Sequence, residues 1–256
     1  MDFHIETSGA GPAILFLHAG VADSRMWRDQ MNLTGYRSVV FDQRGFGQTP
    51  WTPEVYSNRE DALGVLDTLG IESATIVGCS IGGGTALELA IENPGRVDGL
   101  VLVGAYPSGW VPEGGFEENP LEDEAEAASK AGDYDRVIEI DLQMWLIGYG
   151  RTGDGIDPSH QELFRDMDRT PVRNEAERNE YVERYEGKLN DRLNMIEVPT
   201  LVVVGEYDES PLVDAAHHLA SKLSNRPPIV VDDAAHLPSL EQPEAFNTAL
   251  LAFLDS

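Results

Sequence analysis

The pattern of apolar and polar positions along the chain predicts strands that alternate with helices. Unbroken apolar runs rich in β-branched residues fit parallel strands that are covered on both faces of a sheet. Six runs of this kind occur, at 13–19, 38–42, 74–80, 99–105, 199–205 and 227–233. Segments with helical spacing follow them, at 58–69, 82–92, 212–222 and 243–254. The alternation predicts an α/β fold with a doubly wound, mostly parallel sheet and helices on both faces.

The alternation breaks between about Pro107 and Glu197, where the pattern is mostly helical and polar. We therefore expect an α/β core formed by residues 1–106 and 197–256, with residues 107–196 as a helical insertion. An insertion at the carboxyl end of a sheet lies over the crevice where ligands bind, so this one is a candidate lid. The alternative is a group of helices packed away from any site.

One glycine-rich turn, "VGCSIGGG", carries two reactive side chains, Cys79 and Ser80. It joins a predicted strand to a predicted helix and contains the pattern G-x-S-x-G, centred on Ser80. Small residues two before and two after the centre let strand and helix approach while the central side chain is exposed above the sheet. Ser80 is therefore the candidate nucleophile, and Cys79 is interpreted as a small buried filler. A purely structural turn is the alternative.

A serine nucleophile needs a base, and the base needs a group that orients it. His236 follows the last apolar run and precedes the final helix, which makes it the most informative of the six histidines. Asp208 lies three residues after the glycine that ends the 199–205 run, and Glu206 and Glu209 are close competitors. The order Ser80, Asp208, His236 matches the order of nucleophile, acid and base in one catalytic fold.

These motifs resemble the α/β-hydrolase fold family over nearly the whole chain. The resemblance rests on "LHAG" (17–20), "FDQRGFGQT" (41–49), "VGCSIGGG" (77–84), "PTLVVVGEYDESP" (199–211) and "AAHLPSLEQPEAF" (234–246), and is greatest to small bacterial esterases and 3-oxoadipate enol-lactonases. It implies an eight-stranded, mostly parallel sheet with a lid after the sixth strand. It also implies a catalytic triad of Ser80, Asp208 and His236. The sequence has no phosphate-loop motif, and the glycines after Ser80 lack the context of a dinucleotide site, so we expect no cofactor.

Acyl transfer places negative charge on the carbonyl oxygen, so fixed donors must face it. The backbone N–H of Ile81, directly after the nucleophile and at a helix N-terminus, is one candidate. The second is expected from the loop after "LFLH", where Gly20 is preferred and Val21 is next. His18 is expected to brace this loop. The "DQRGFG" segment (42–47) is interpreted as a scaffold turn with an ion pair.

Aromatic residues of the insertion and of the loop after the first predicted strand are candidates for the substrate pocket, with burial in the core of the lid as the alternative. With Val21, the candidates are Trp27, Tyr106, Trp110, Trp145 and Tyr149. The acyl and alcohol groups of the substrate are left open.

Charge and composition indicate which classes of partner this protein is not expected to bind and where in the cell it is expected to be found. The net charge is −27, which argues against nucleic acid or an anionic membrane, because both require a positive surface. Adaptation to high salt and a bias toward arginine codons are alternative readings of the acidic, lysine-poor composition. One cysteine excludes an intrachain disulfide, and "MDFHIETSG" lacks the features of a signal peptide, so we expect a cytoplasmic monomer or homodimer. No metal-binding motif is present.

The sequence therefore predicts a serine hydrolase of the carboxylesterase or lactonase type that acts on a small-molecule ester or lactone. Two other enzymatic readings keep the same triad: hydrolysis of a carbon–carbon bond and cofactor-free perhydrolysis. A binding protein or receptor built on the same fold is the alternative from another class.

Overall fold

The computed structural model describes residues 1–116, 118–183, 185–224 and 226–256. Its centre is a seven-stranded sheet in the order β1-β3-β2-β4-β5-β6-β7. The first strand runs antiparallel to β3, and all other neighbours are parallel. The strands are β1 Ile5–Gly9, β2 Ala13–Leu17, β3 Arg37–Phe41, β4 Ala74–Cys79, β5 Val97–Val103, β6 Thr200–Gly205 and β7 Ile229–Val231.

Helices cover both faces of this sheet. The α-helices are α1 Asn58–Thr68, α2 Ile81–Glu92, α3 Pro120–Ala131, α4 Tyr134–Asp141, α5 Pro158–Arg178, α6 Ser210–Leu223, α7 Pro238–Glu241 and α8 Pro243–Leu254. Residues Leu142–Ile147 form a π-helix, and 3₁₀ segments lie at Ser24–Gln30, Pro94–Arg96, Gly153–Gly155 and Leu189–Met195. In the parts of the chain that the structure describes, no helix combines the length and apolar character needed to cross a bilayer.

The central strands are buried because their side chains pack against helices on both faces. Ile14, Leu15 and Phe16 of β2 have no exposed surface, and alternate residues of that strand contribute to two separate apolar clusters. This two-sided burial explains why the strands are continuous apolar runs rather than alternating ones. It confirms the predicted α/β class and the six predicted strands.

The strand count differs from the prediction of eight. The described residues form seven strands. The first of them, Ile5–Gly9, contains no apolar run from which it could be predicted. This strand lies at the edge of the sheet with most of its side chains at least partly exposed, so its sequence is largely polar. With one strand fewer than expected, the long insertion follows the fifth strand of this chain rather than the sixth.

The insertion connects two neighbouring parallel strands. Strand β5 ends at Val103 and β6 begins at Thr200, and helices α3, α4 and α5 lie between them in the chain. The carboxyl end of β5 is the edge at which ligands bind in sheets of this kind. The assignment of residues 107–196 as a separate unit stays a prediction.

Candidate active site

The turn between β4 and α2 raises Ser80 above the sheet. Ser80 has φ 54° and ψ −116°, a strained conformation for a residue with a side chain. A Cβ on Gly78 would lie 2.2 Å from the carbonyl oxygen of Gly82, and one on Gly82 would lie 2.4 Å from that of Leu17. Neither position therefore has room for a side chain, and this is the close approach that the G-x-S-x-G spacing predicts.

Cys79 points away from this turn into the protein. It is fully buried, and its Sγ donates to the carbonyl oxygen of His236 at 3.5 Å. Burial, and then the charges of Asp208 and Glu241, raise the pKa of the thiol well above its ordinary value. Since the thiolate is the reactive form, this cysteine is suited to packing rather than to nucleophilic attack.

His236 and Asp208 are hydrogen-bonded to each other. Nδ1 of His236 lies 3.0 Å from each carboxylate oxygen of Asp208, and both side chains are almost completely buried. Because Nδ1 donates to the carboxylate, Nε2 of the neutral ring is left as an acceptor. Burial alone would lower the pKa of His236, but the charge and hydrogen bond of Asp208 raise it above its ordinary value.

The competing acids have other contacts. Glu206 is exposed and accepts from the backbone N–H of Asp233 at 3.1 Å. Glu209 accepts from the Tyr149 hydroxyl at 2.6 Å and from the Asn119 side chain at 2.9 Å. Of the three candidates, Asp208 is therefore the one that meets the imidazole.

Ser80 and His236 line one cavity of about 490 Å³, which we call the first cavity. Both candidate oxyanion residues, Gly20 and Ile81, and the candidates Val21 and Trp145 also line it. In the described residues, no hydrogen bond joins Ser80 to His236. The other lining residues come from the core and from the insertion: Phe46, Tyr56, Asn58, Glu122, Ala125, Asp141, Met144, Asp168, Pro171, Val172, Glu175, Arg178, Asn179 and Val182.

The candidate oxyanion donors are neighbours in space. A Cβ built on Gly20 would lie 3.5 Å from the side chain of Ile81, so the loop after β2 rests against the start of α2. Among the described residues, neither N–H finds an acceptor within the chain, as expected for the first residue of a helix and for an open loop. Two N–H groups beside the nucleophile can receive a developing oxyanion.

His18 fixes the shape of the loop after β2. Its ring is buried, Nδ1 donates to the carbonyl oxygen of Ala19 at 2.8 Å, and Nε2 accepts from the backbone N–H of Gln43 at 3.0 Å. Burial lowers the pKa of this histidine, which keeps the ring neutral for both contacts. The ring therefore braces the loop that carries Gly20 and is not among the described residues that line the first cavity.

The ion pair of the "DQRGFG" segment is formed with a residue outside the segment. Asp42 accepts the backbone N–H groups of Ser24 and Gln48, at 2.9 and 2.8 Å. Arg44 pairs instead with Asp61 of α1 through two contacts of 2.6 Å. The segment is a scaffold turn, as predicted, tied to α1.

The remaining aromatic candidates lie outside the first cavity. Trp27 has no exposed surface and packs between Phe16 and Phe246, with ring centroids 5.2 and 6.0 Å away, so the structure places it in the core. Trp110 stacks on His218 at 5.3 Å. Tyr106 and Tyr149 line a second cavity of about 480 Å³, which borders Asp208 but not Ser80.

Trp145 contacts the catalytic histidine candidate in two ways. Its ring centroid is 4.8 Å from that of His236, and its carbonyl oxygen accepts the backbone N–H of His236 at 3.1 Å. Trp145 lies within the π-helix, an element that is frequent at functional sites. The insertion therefore supplies an aromatic wall directly against the imidazole.

Glu241 is a positioning residue that the sequence reasoning missed. Its carboxyl oxygens accept the backbone N–H of Ala235 at 3.0 and 2.9 Å and that of Leu237 at 3.1 Å. Glu241 therefore binds the residues on both sides of His236. The side chain is 3% exposed. The signal was available in the segment "HLPSLEQPEAF", where a glutamate at the end of a short helix lies five residues after the histidine.

The buried carboxyl group of Glu241 predicts a distinctive pH dependence of stability. Burial raises its pKa to about 8, so the folded protein keeps a proton that the unfolded chain releases above its ordinary value near 4.5. The contribution of this group to the free energy of unfolding therefore falls as pH rises from about 4.5 to 8. We expect the melting temperature of Glu241→Gln, minus that of the parent, to increase across this range in thermal denaturation.

The matched control for this prediction is Glu244→Gln on the exposed side of the next helix. The same subtraction for that variant should show no trend over the same pH range. A flat difference for Glu241→Gln as well would contradict the assigned protonation.

Comparisons with known proteins show similarity over nearly the whole chain. Residues 12–243 match the family described as the alpha/beta hydrolase fold. The 3-oxoadipate enol-lactonase 1 of Acinetobacter baylyi is 28% identical over 253 residues, which cover 96% of this chain and 89% of that protein. The 2-hydroxy-6-oxononadienedioate/2-hydroxy-6-oxononatrienedioate hydrolase of Paraburkholderia phymatum is 29% identical over 275 residues, covering 98% and 90%.

A solved structure is similar over the same extent. The thermophilic esterase of Thermogutta terrifontis is 25% identical, with a TM-score of 0.78, and the match covers 99% of this chain and 93% of that one. Sheet order, the turn at Ser80 and the family match over most of the chain lead to one conclusion. This chain belongs to the α/β hydrolase fold family.

Proposed function

We propose that this protein is a serine hydrolase that cleaves a carboxylic ester or a lactone through an acyl-enzyme on Ser80. The observation that carries the proposal is the Asp208–His236 pair, whose free Nε2 belongs to a ring that lines the same cavity as Ser80. A strained serine at a helix N-terminus, an oriented imidazole and two free N–H donors are the parts that acyl transfer needs.

The reaction follows from these positions. Nε2 of His236 accepts the Oγ proton as Oγ bonds to the carbonyl carbon, and the N–H groups of Ile81 and Gly20 receive the oxyanion. The tetrahedral adduct collapses, and the carbon–oxygen bond to the alcohol breaks as the imidazolium returns its proton to the leaving oxygen. Water then repeats the sequence on the acyl-enzyme, releasing the acid and restoring Ser80. Asp208 stabilises the imidazolium at both stages.

Relatives along the whole chain support this reaction class. One is named an enol-lactonase, and one similar structure is an esterase. The candidate from a different bond type is carbon–carbon hydrolysis, which is favoured by the relative named as a hydrolase of 2-hydroxy-6-oxononadienedioate. Both reactions use the same serine, so the choice between them depends on the substrate.

A labelling experiment tests the proposal. A fluorophosphonate should add its phosphonyl group to Ser80, which peptide mass spectrometry would locate, and prior acylation by p-nitrophenyl butyrate should slow the labelling. A protein that turns over neither p-nitrophenyl esters nor lactones and is not labelled would contradict the assignment. Turnover of a dienone acid with no ester or lactone turnover would select the carbon–carbon reaction.

Gly104 packs directly against His236 and Asp208, so a substitution there tests how much space the two side chains need. It follows β5 with φ +49°, and a Cβ there would lie 2.9 Å from Nδ1 of His236 and 3.0 Å from a carboxylate oxygen of Asp208. Gly104→Ala should displace the pair, lowering ester kcat by about 10²-fold and stability by about 1–3 kcal/mol. Steady-state kinetics and urea denaturation measure the two effects.

The control is Gly70→Ala, at a glycine with φ +65° and open space around its missing Cβ. That variant should lose stability through backbone strain but keep its turnover. If Gly104→Ala also kept full turnover, the packing argument would be refuted.

A further inference from the structure

One face of helix α5 forms a wall of the first cavity and is polar at both ends. Asp168, Val172, Glu175 and Arg178 all line the cavity and recur at helical spacing. Asp168 and Arg178 are ten residues apart, so about 15 Å of helix separates an acidic end from a basic end. A ligand in the cavity therefore meets a carboxyl group toward one end of this helix face and a guanidinium group toward the other.

The acidic end is a pair of carboxyl groups, Asp168 on α5 and Asp141 at the end of α4, which we call the acid pair. Both line the first cavity, and burial and then the charge of Asp141 raise the pKa of Asp168 well above its ordinary value. Burial also raises the pKa of Asp141 to about 6. Two carboxyl groups at one end of a cavity repel each other as anions, so a bound cation would stabilise their ionised forms.

Asp168 lacks other partners. The residue is 1% exposed, and neither of its carboxyl oxygens receives an N–H or O–H from the described residues. Leaving buried acceptors without donors is costly, and native structures usually satisfy them. The described residues add no third group of metal-ligand type, so a divalent cation is not the matching ligand.

The surrounding charge favours a cation with hydrogen-bond donors. Glu122 and Glu175 line the same cavity. Apart from His236, the single basic residue among the described lining residues is Arg178, whose guanidinium lies 4.2 Å from the ring centre of Phe46 at the other end. An ammonium group supplies up to three N–H donors and a positive charge to the orphaned oxygens.

We propose that the acid pair is a substrate subsite for an organic ammonium group, carried on the acyl or the alcohol part of the ester or lactone. The proposal rests on the proposed hydrolase function, because it assigns a specificity element to the same cavity. Asp168 supplies the unpartnered acceptors, and Asp141 adds a second carboxyl group that lines the same cavity. Substrates bearing a cation would bind with that group directed to α5.

A binding experiment tests the subsite without turnover. Calorimetric titration of Ser80→Ala protein with n-hexylammonium, 1-hexanol and hexanoate compares three ligands of one length. We expect the ammonium to bind at least about tenfold more tightly than the alcohol, the effect of one charge-assisted hydrogen bond. Adding Asp168→Asn should remove this preference. Adding Asp166→Asn, the same change at an exposed position of α5, should leave it intact.

Turnover of matched esters forms the second arm. The ratio of kcat/KM for ammonium-bearing and neutral esters, with the amine placed first in the acyl and then in the alcohol part, should exceed about ten in at least one series and fall toward one in Asp168→Asn. If the parent protein prefers the ammonium neither in binding nor in either ester series, the proposal is wrong whether or not the variants fold. Preferred hexanoate binding would also overturn it, and would assign recognition to Arg178.

The two proposals fail separately. Absence of serine-dependent turnover of the neutral esters would refute the hydrolase function, while the calorimetric comparison would still report on the acid pair. A preference that survives Asp168→Asn, in a variant with parental circular dichroism, would refute the subsite and leave the hydrolase function standing.

Discussion

Replacing Ser80 by alanine should abolish ester hydrolysis, with kcat reduced by at least about 10³-fold, and leave the fold unchanged. The reason is chemical: without Oγ there is no atom to form the acyl-enzyme, and His236 has no proton to accept. The backbone strain at φ 54° falls on alanine in place of serine, so the turn itself should persist. Stopped-flow and steady-state assays with p-nitrophenyl esters measure the loss.

The matched variant is Cys79→Ala, at the adjacent side chain of the same turn. It should keep its turnover, because Cys79 only donates to a backbone carbonyl. Circular dichroism and thermal melting check that both variants are folded. Full ester turnover by Ser80→Ala would remove the nucleophile from the proposed mechanism and the triad with it.

Replacing Asp208 by asparagine should reduce kcat by about 10⁴-fold at neutral pH. The carboxylate accepts from Nδ1 at 3.0 Å, so it selects the tautomer in which Nε2 is an acceptor. An asparagine amide can donate to Nδ1 instead, which places the proton on Nε2 and prevents it from accepting the Ser80 proton. The charge that stabilises the imidazolium is lost at the same time.

The pH profile separates this role from simple packing. Since Asp208 raises the pKa of His236, the acid limb of residual kcat/KM in Asp208→Asn should shift to lower pH than in the parent protein. Glu206→Gln is the control, because Glu206 was a competing candidate and contacts only a backbone N–H of the neighbouring loop. Equal losses in the two variants would show that Asp208 has no special part.

Much of this architecture was predictable because it depends on local spacing. The strands from β2 to β6 are mostly buried and appear in the sequence as apolar runs, and the turn at Ser80 needs small residues at 78 and 82. These features depend on residues that are close together in the chain, so they can be predicted from a single sequence. The edge strand at 5–9 escaped because all of its residues are at least partly exposed, so its sequence contains no apolar run.

The parts of the site that escaped depend on contacts between distant segments. Gly104 packs against His236, more than a hundred residues later, and nothing near Gly104 in the sequence indicates that contact. Trp27 is a large aromatic residue in the loop after the first predicted strand, which made it a candidate for the pocket. In the structure it packs between Phe16 and Phe246. The acid pair brings together carboxyl groups of α4 and α5, and nothing near either residue in the sequence indicates that both line one cavity.

The position of Trp145 beside His236 depends on the number of residues in the π-helix at Leu142–Ile147. Its bonds run from residue i to i+5, one residue more than in an α-helix. Deleting a single residue there would let the segment continue as an α-helix, turning the residues beyond it by about 100° around the axis. The indole would then leave the His236 ring. Inserting or deleting one residue in this segment would therefore create or remove the aromatic wall beside His236 without any substitution.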